Sequence, residues 1–143
     1  MPIQQGATNA FKVGLPLGTF DFNTDTFKIA LYTGAANLDA TTAAYTTLNE
    51  TSGTGYVAGG NVLTVSVAPT IGPVPTDTVM YLSFNDVTWN PAAFTCRGAI
   101  IYKVGGGNPT VCILDFGGDK TCTTSFQVQF PPANNTNAII RIT

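Results

Sequence analysis

Apolar positions in this chain come in short runs broken by glycine, proline and asparagine, and the cleanest succession lies between Asp86 and Phe130. Cys96 to Val104 and Thr110 to Phe116 are rich in β-branched and aromatic residues. The GGGNP segment between them cannot sit inside a sheet, so the pair predicts a β-hairpin with a longer loop. Gly117-Gly118 then predicts a tight turn. Thr123 to Phe130 follows with alternation at Phe126, Val128 and Phe130, which completes a three-stranded meander in which Asp115 faces Lys120 and Ile113 faces Cys122. Within the first two strands, Ala99 to Tyr102 and Val111 to Leu114 are continuous apolar runs. Such runs predict strands covered on both faces.

Elsewhere the pattern is shorter. Met1 to Thr8 is polar and reads as a loose N-terminal arm. Asn9 is placed to cap a short helix through Ala10 to Val13, which Gly14 and Pro16 end. Phe20 to Thr26 is an Asx-rich turn leading to a strand at Phe27 to Thr33, with Phe27, Ile29 and Leu31 on one face and Lys28, Ala30 and Tyr32 on the other. Ala35 to Glu50 reads as a loop with one helical turn near Ala40 to Tyr45, since crowded threonines disfavour a longer helix. A short strand is expected at Tyr56-Val57 and another at Asn61 to Val67. Pro69 to Pro75 reads as a wide connection. Thr78 to Trp89 reads as a strand with a bulge near Asn85-Asp86, and Ala138 to Ile142 as a closing strand with Ile140 and Ile142 on one face. Seven to nine strands with almost no helix predict an all-β fold: a single-domain, antiparallel β-sandwich, jelly-roll-like, formed by residues 9–143 behind the arm at 1–8.

Composition changes this picture mainly at the surface. Of the 143 residues 10% are charged and 44% are hydrophobic, so neutral Thr, Asn, Ser and Gln must cover much of the exterior. A surface so poor in charge is weakly protected against association and predicts contact with partner subunits, as a homo-oligomer (dimer or trimer) or in a larger assembly. The net charge is -2 and the six basic residues are scattered singly, which argues against nucleic acid. No apolar run approaches the roughly 20 residues of a membrane span. Met1 to Gly14 lacks signal-peptide character, so synthesis in a reducing cytoplasm is expected, with Cys96, Cys112 and Cys122 as free thiols.

The sequence contains no histidine, which removes imidazole-based nucleophilic, acid-base and zinc chemistry. Asp21, Asn23 and Asp25 copy the start of a calcium loop, but Thr26 stands at its glycine and Tyr32 at its bidentate glutamate; an Asx-stabilised turn is expected instead. Asp115 and Asp119 have the chemistry of a glycosidase pair, although Lys120 is the expected cross-strand partner of Asp115. Asp115-Phe116-Gly117 spells a kinase metal tripeptide without the rest of that machinery. The glycines of GTGYVAGG lack the lysine of a phosphate loop. Cys96 beside Arg97 lies in an apolar strand, where an inert thiol is expected. Tyr81, Phe84, Trp89, Phe94 and Tyr102 have the residue types of a sugar platform, while their strand periodicity favours the core. No catalytic, cofactor-binding or metal-binding residue is predicted.

The blocks TDTFKIALYT, SGTGYVAGG, VTW, GAIIYK and DFGGDKT, spread over Phe20 to Thr121, resemble a family of small virion structural proteins of tailed bacteriophages. The resemblance implies a non-enzymatic particle component. Its expected role is a capsid decoration or cement protein that binds major capsid subunits in the virion. The alternative is a tail, neck or fibre component, with glycan or receptor recognition as one form of it. The N-terminal arm and the segment FPPANNTNAIIRI depart from the family pattern.

Overall fold

The computed structural model describes residues 3–143, and the two continuous apolar runs form its centre. Strands β7 (Phe94–Lys103) and β8 (Thr110–Cys122) pair antiparallel. Strand β2 (Phe27–Tyr32) pairs with β7, β1 (Gly6–Ala7) with β8, and β3 (Asn61–Leu63) with β2, giving the sheet order β1-β8-β7-β2-β3. Side chains alternate across a strand, so successive residues enter two different cores. Phe27, Ile29, Leu31, Ala99 and Ile101 face the larger one. Ala30, Tyr32, Ile100, Tyr102 and Ile113 face a smaller one on the opposite side. Covering on both faces is therefore what the runs signalled, and it extends to β2, which buries residues on both of its faces.

Each face is covered differently. Over the larger core lie β4 (Val65–Ile71), β5 (Met80–Phe84) and β10 (Ile140–Ile142), in the order β10-β5-β4, together with the pair β6 (Val87–Trp89) and β9 (Phe126–Val128). Aromatic rings fill the space between: Phe22 stacks on Phe27 at 4.5 Å, and Trp89 meets Phe94 edge-on at 6.5 Å. Helix α1 (Asn9–Gly14) inserts Phe11 into the same core. Over the smaller core lie Ile3 and the loop carrying Ala36, Leu38 and Tyr45.

Several expectations are corrected. Gly117-Gly118 make no turn: β8 continues to Cys122 because β7 starts early enough to pair Phe94 with Cys122 and Cys96 with Lys120. Between the Gly98–Asp115 and Cys96–Lys120 pairs, residues Phe116 to Asp119 stand opposite Arg97 alone. The glycines, with Gly117 at φ 81°, serve a bulge where the local pattern read as a hairpin. Asp115 therefore faces Gly98 rather than Lys120, Ile113 faces Ile100 rather than Cys122, and β9 pairs with β6 instead of closing a meander.

The expected loose arm is docked from Ile3 to Thr8, with Met1 and Pro2 outside the described residues. Ile3 is buried, Gln4 N–H donates to Leu38 O at 2.8 Å, and Gly6-Ala7 pair with Ile113 and Cys112. Thr8, not Asn9, caps α1: its hydroxyl accepts from Phe11 N–H at 3.2 Å and also meets the buried Thr110 hydroxyl at 3.0 Å. No helical turn forms between Ala40 and Tyr45, and Tyr56-Val57 is not a strand. Pro69 lies inside β4, tolerated because β4 is an edge strand whose register shifts between Val67 and Thr70, across the proline. The expected bulge at Asn85-Asp86 is a break between sheets, held where Asn85 N–H donates to Thr64 O and Asp86 Oδ1 accepts from Phe130 N–H, both at 2.8 Å. In β10, Ile140 is buried while Ile142 is exposed.

Candidate interaction surface

The carboxylates singled out from the sequence are occupied by backbone and by cations. Asp21 Oδ1 accepts from Asn23 N–H at 2.9 Å, and Asp25 Oδ2 accepts from Asp21 N–H at 2.8 Å and lies 3.4 Å from Lys103 Nζ. That is an Asx turn tied to β7. The Asn23 N–H, followed by the Thr24 hydroxyl, holds the Asp21 carboxyl below its usual range. Asp115 Oδ1 accepts from Gly117 N–H at 2.9 Å inside the bulge, while Asp119 reaches across it to Arg97 at 3.4 Å. The two carboxylates thus have separate structural partners.

Both buried thiols are disfavoured as thiolates. Burial pushes Cys96 and Cys112 up to about 12, so neither is poised as a nucleophile. Phe84, Trp89, Phe94 and Tyr102 are buried in the two cores, and Tyr81 is half-buried outside them; the five do not form an exposed row for stacking against sugar. The Trp89 indole N–H is buried without a hydrogen-bond acceptor among the described residues, and its ring lies edge-to-face with Phe94.

One polar centre was not anticipated. Glu50 is the only charged residue between Asp39 and Asp77, and three donors converge on it. The Tyr45 hydroxyl donates to Oε1 at 2.7 Å; the Tyr56 hydroxyl and Gly59 N–H donate to Oε2 at 2.6 and 2.8 Å. The Tyr56 hydroxyl also accepts from Leu31 N–H at 2.8 Å, and the Tyr102 hydroxyl donates to Gly59 O at 2.7 Å. Tyr45 stacks on Tyr102 at 4.8 Å. These contacts fasten the GTGYVAGG segment and the loop before it to the central sheet. Burial, reinforced by the Glu50 charge, raises the ionisation of Tyr32, Tyr45, Tyr56 and Tyr102 above the ordinary phenol value. A lone carboxylate between tyrosine-bearing loops was the available sequence signal.

Glycine is required where this strap crosses the sheet. A Cβ on Gly60 (φ 79°) would lie 1.8 Å from Ile29 O, and one on Gly55 (φ 82°) 1.8 Å from Pro91 O. The block acts by backbone contact.

Leu48, Val57, Val62 and Val104 are exposed singly, while the other large exposed aliphatics among the described residues gather at one end. Across the β10-β5-β4 sheet, Ile142 pairs with Met80 and Met80 with Ile71, so these three form one row. The row continues the face that carries Ile140 and Leu82 into the core, but Ile142 and Ile71 are exposed. The β4–β5 connection adds exposed Val74 between Pro73 and Pro75, and α1 with the turn after it adds Val13 and Leu17, which is 75% exposed. Leu15 and Gly18 share a groove of 410 Å³ with Pro69 and Met80, which places Leu17 beside that row. A second groove, 490 Å³, lies between α1 and the free edge of β10; Phe11, Cys112 and Ile140 line it with Lys12 and Arg141. Neither cation has an acidic group within 4 Å among the described residues. This end combines exposed aliphatics, two open grooves and unpaired charge.

Comparison with protein-family profiles, with curated proteins and with solved structures returned no match.

Proposed function

We propose that the chain is a non-enzymatic structural component of a tailed-phage virion, acting as a capsid decoration or cement protein on the major capsid subunits. The observation that carries the reading is how the polar chemistry is deployed. Asp21, Asp25, Asp115, Asp119 and Glu50 all bind backbone groups or neighbouring side chains, whereas large aliphatics stand in water at one end. Buried, satisfied polar networks fix a rigid body, and exposed apolar patches mark contact surfaces. The sequence blocks that resemble virion proteins fall on this rigid frame: TDTFKIALYT on β2, SGTGYVAGG on the strap, GAIIYK on β7 and DFGGDKT on the bulge.

The finer fold assignment belongs to the same proposal. Strand β1 pairs with β8, β2 with β7 and β4 with β5, all antiparallel, and β3 lies beside β6. This nesting is the pairing of a long hairpin wound on itself, which supports a jelly-roll-like sandwich. The chain differs in keeping β2-β3 and β7-β8 within one sheet.

Repetition by symmetry would convert modest contacts into collective strength on a shell. The test is to add purified chain to expanded shells assembled from the major capsid protein alone. The reading predicts saturable binding in stoichiometric proportion to shell sites and a higher shell disruption temperature. Binding confined to tails or fibres would transfer the role to the tail, and binding to neither would overturn the reading.

A further inference from the structure

We infer that the apolar end is a two-fold self-association surface, in which the Pro73-Val74-Pro75 tip of each copy enters the groove between α1 and β10 of the other. The inference rests on the reading that this protein works by contact, and adds the partner and the residues. Two neighbouring features make it specific. The first is the tip: prolines on both sides fix the backbone of Val74, which is 52% exposed, and the Asp77 carboxylate accepts from Val74 N–H at 3.0 Å, setting an acidic group at the base of an apolar knob. The second is the 490 Å³ groove, with an apolar floor at Phe11, Cys112 and Ile140 and cations at Lys12 and Arg141.

Their charges and shapes are complementary. A knob with one carboxylate meets a hollow with two cations that lack ion-pair partners among the described residues. Their placement also sets the symmetry. The tip joins β4 to β5, and β10 lies next to β5, so knob and groove lie at the same end of one small sheet. In a closed dimer, a knob and its complementary groove side by side are both filled by an isologous pairing about a two-fold axis between them, whereas head-to-tail pairing would run on into larger assemblies. The exposed Ile71, Ile142, Val13 and Leu17 then fall within the contact, and β4, which carries no charged residue, meets no like-charge repulsion at its rim.

Sedimentation equilibrium on the full chain tests this at about 1–200 µM, roughly the range in which small, partly polar interfaces dissociate. A reversible dimer is expected. Val74→Asp should weaken it at least tenfold, and so should Lys12→Glu combined with Arg141→Glu. Adding Asp77→Lys to that double variant should recover most of the affinity, because the pairing is restored with signs reversed. Far-ultraviolet circular dichroism on each variant confirms the fold, and Lys12→Glu on the exposed helix face provides a reading if a β-strand variant misfolds. A monomer throughout the range, a dimer indifferent to Val74→Asp, or failure of the reversed pair to recover would overturn the inference. Shell binding by a folded Val74→Asp variant would leave the virion role standing while the self-association is judged on its own data.

Discussion

Glu50 ties two loops together, because a carboxylate offers only acceptors and three donors meet there, one from the loop at Tyr45 and two from the strap at Tyr56 and Gly59. Removing the Tyr56 hydroxyl takes away both a donor to Glu50 and the acceptor of Leu31 N–H. Tyr56→Phe should therefore cost about 1–3 kcal/mol in urea unfolding, and Glu50→Ala more, since it strands three donors at once. Ionisation gives a second residue-scale prediction. The tyrosines around Glu50 and the thiols of Cys96 and Cys112 have folded ionisation constants raised by burial. Unfolded thiols and phenols ionise near about 8.5 and 10, so above those values the unfolded chain binds fewer protons than the folded one. Their contribution to stability is complete below about pH 8 and declines as pH rises toward 12. In a Tyr81→Phe variant, which keeps only the four tyrosines around Glu50, tyrosine absorbance at high pH should rise together with unfolding rather than ahead of it; phenolate formation in that variant while still folded would contradict the burial argument. The sequence announced the aromatic and thiol positions through strand periodicity. It did not announce the Glu50 centre, because its partners come from two loops and two strands brought together only by the fold.

Among the elements, the glycine strap and the N-terminal segment carry the sharpest expectations. Gly60→Ala puts a methyl group 1.8 Å from Ile29 O at a positive φ, and should cost at least about 3 kcal/mol or prevent folding. Gly106 also has positive φ, 64°, but nothing within 4 Å of the added carbon; Gly106→Ala should cost about 1–2 kcal/mol. Thermal melting of the two variants separates close approach from conformation alone. Deleting residues 1–8 removes β1, Ile3 and the Thr8 cap, and should lower the melting temperature, whereas a merely loose arm would leave it unchanged. Continuous apolar runs made β7 and β8 legible in the sequence, and the regular alternation of its faces made β2 so. The bulge at Phe116–Asp119 was not, since paired glycines suit a hairpin turn and a bulge equally and the choice fell to the long partner strand β7. Pro69 misled for a similar reason: whether β4 lies at an edge depends on strands distant in sequence.

For the whole molecule, a charge-poor exterior over a rigid double core is suited to standing among neighbours. The apolar end, with its row from Ile142 through Met80 to Ile71, was only partly foreshadowed: the closing strand was visible, but exposure of its last residue follows from where the sheet overhangs the core. Central to the account is that the chain is a contact-forming component of a phage particle, and counting its copies in purified virions by quantitative mass spectrometry, with its position imaged by cryo-electron microscopy, tests this most directly. The account predicts hundreds of copies distributed over the outer shell on the major capsid subunits. Purified particles that lack the chain altogether would contradict it.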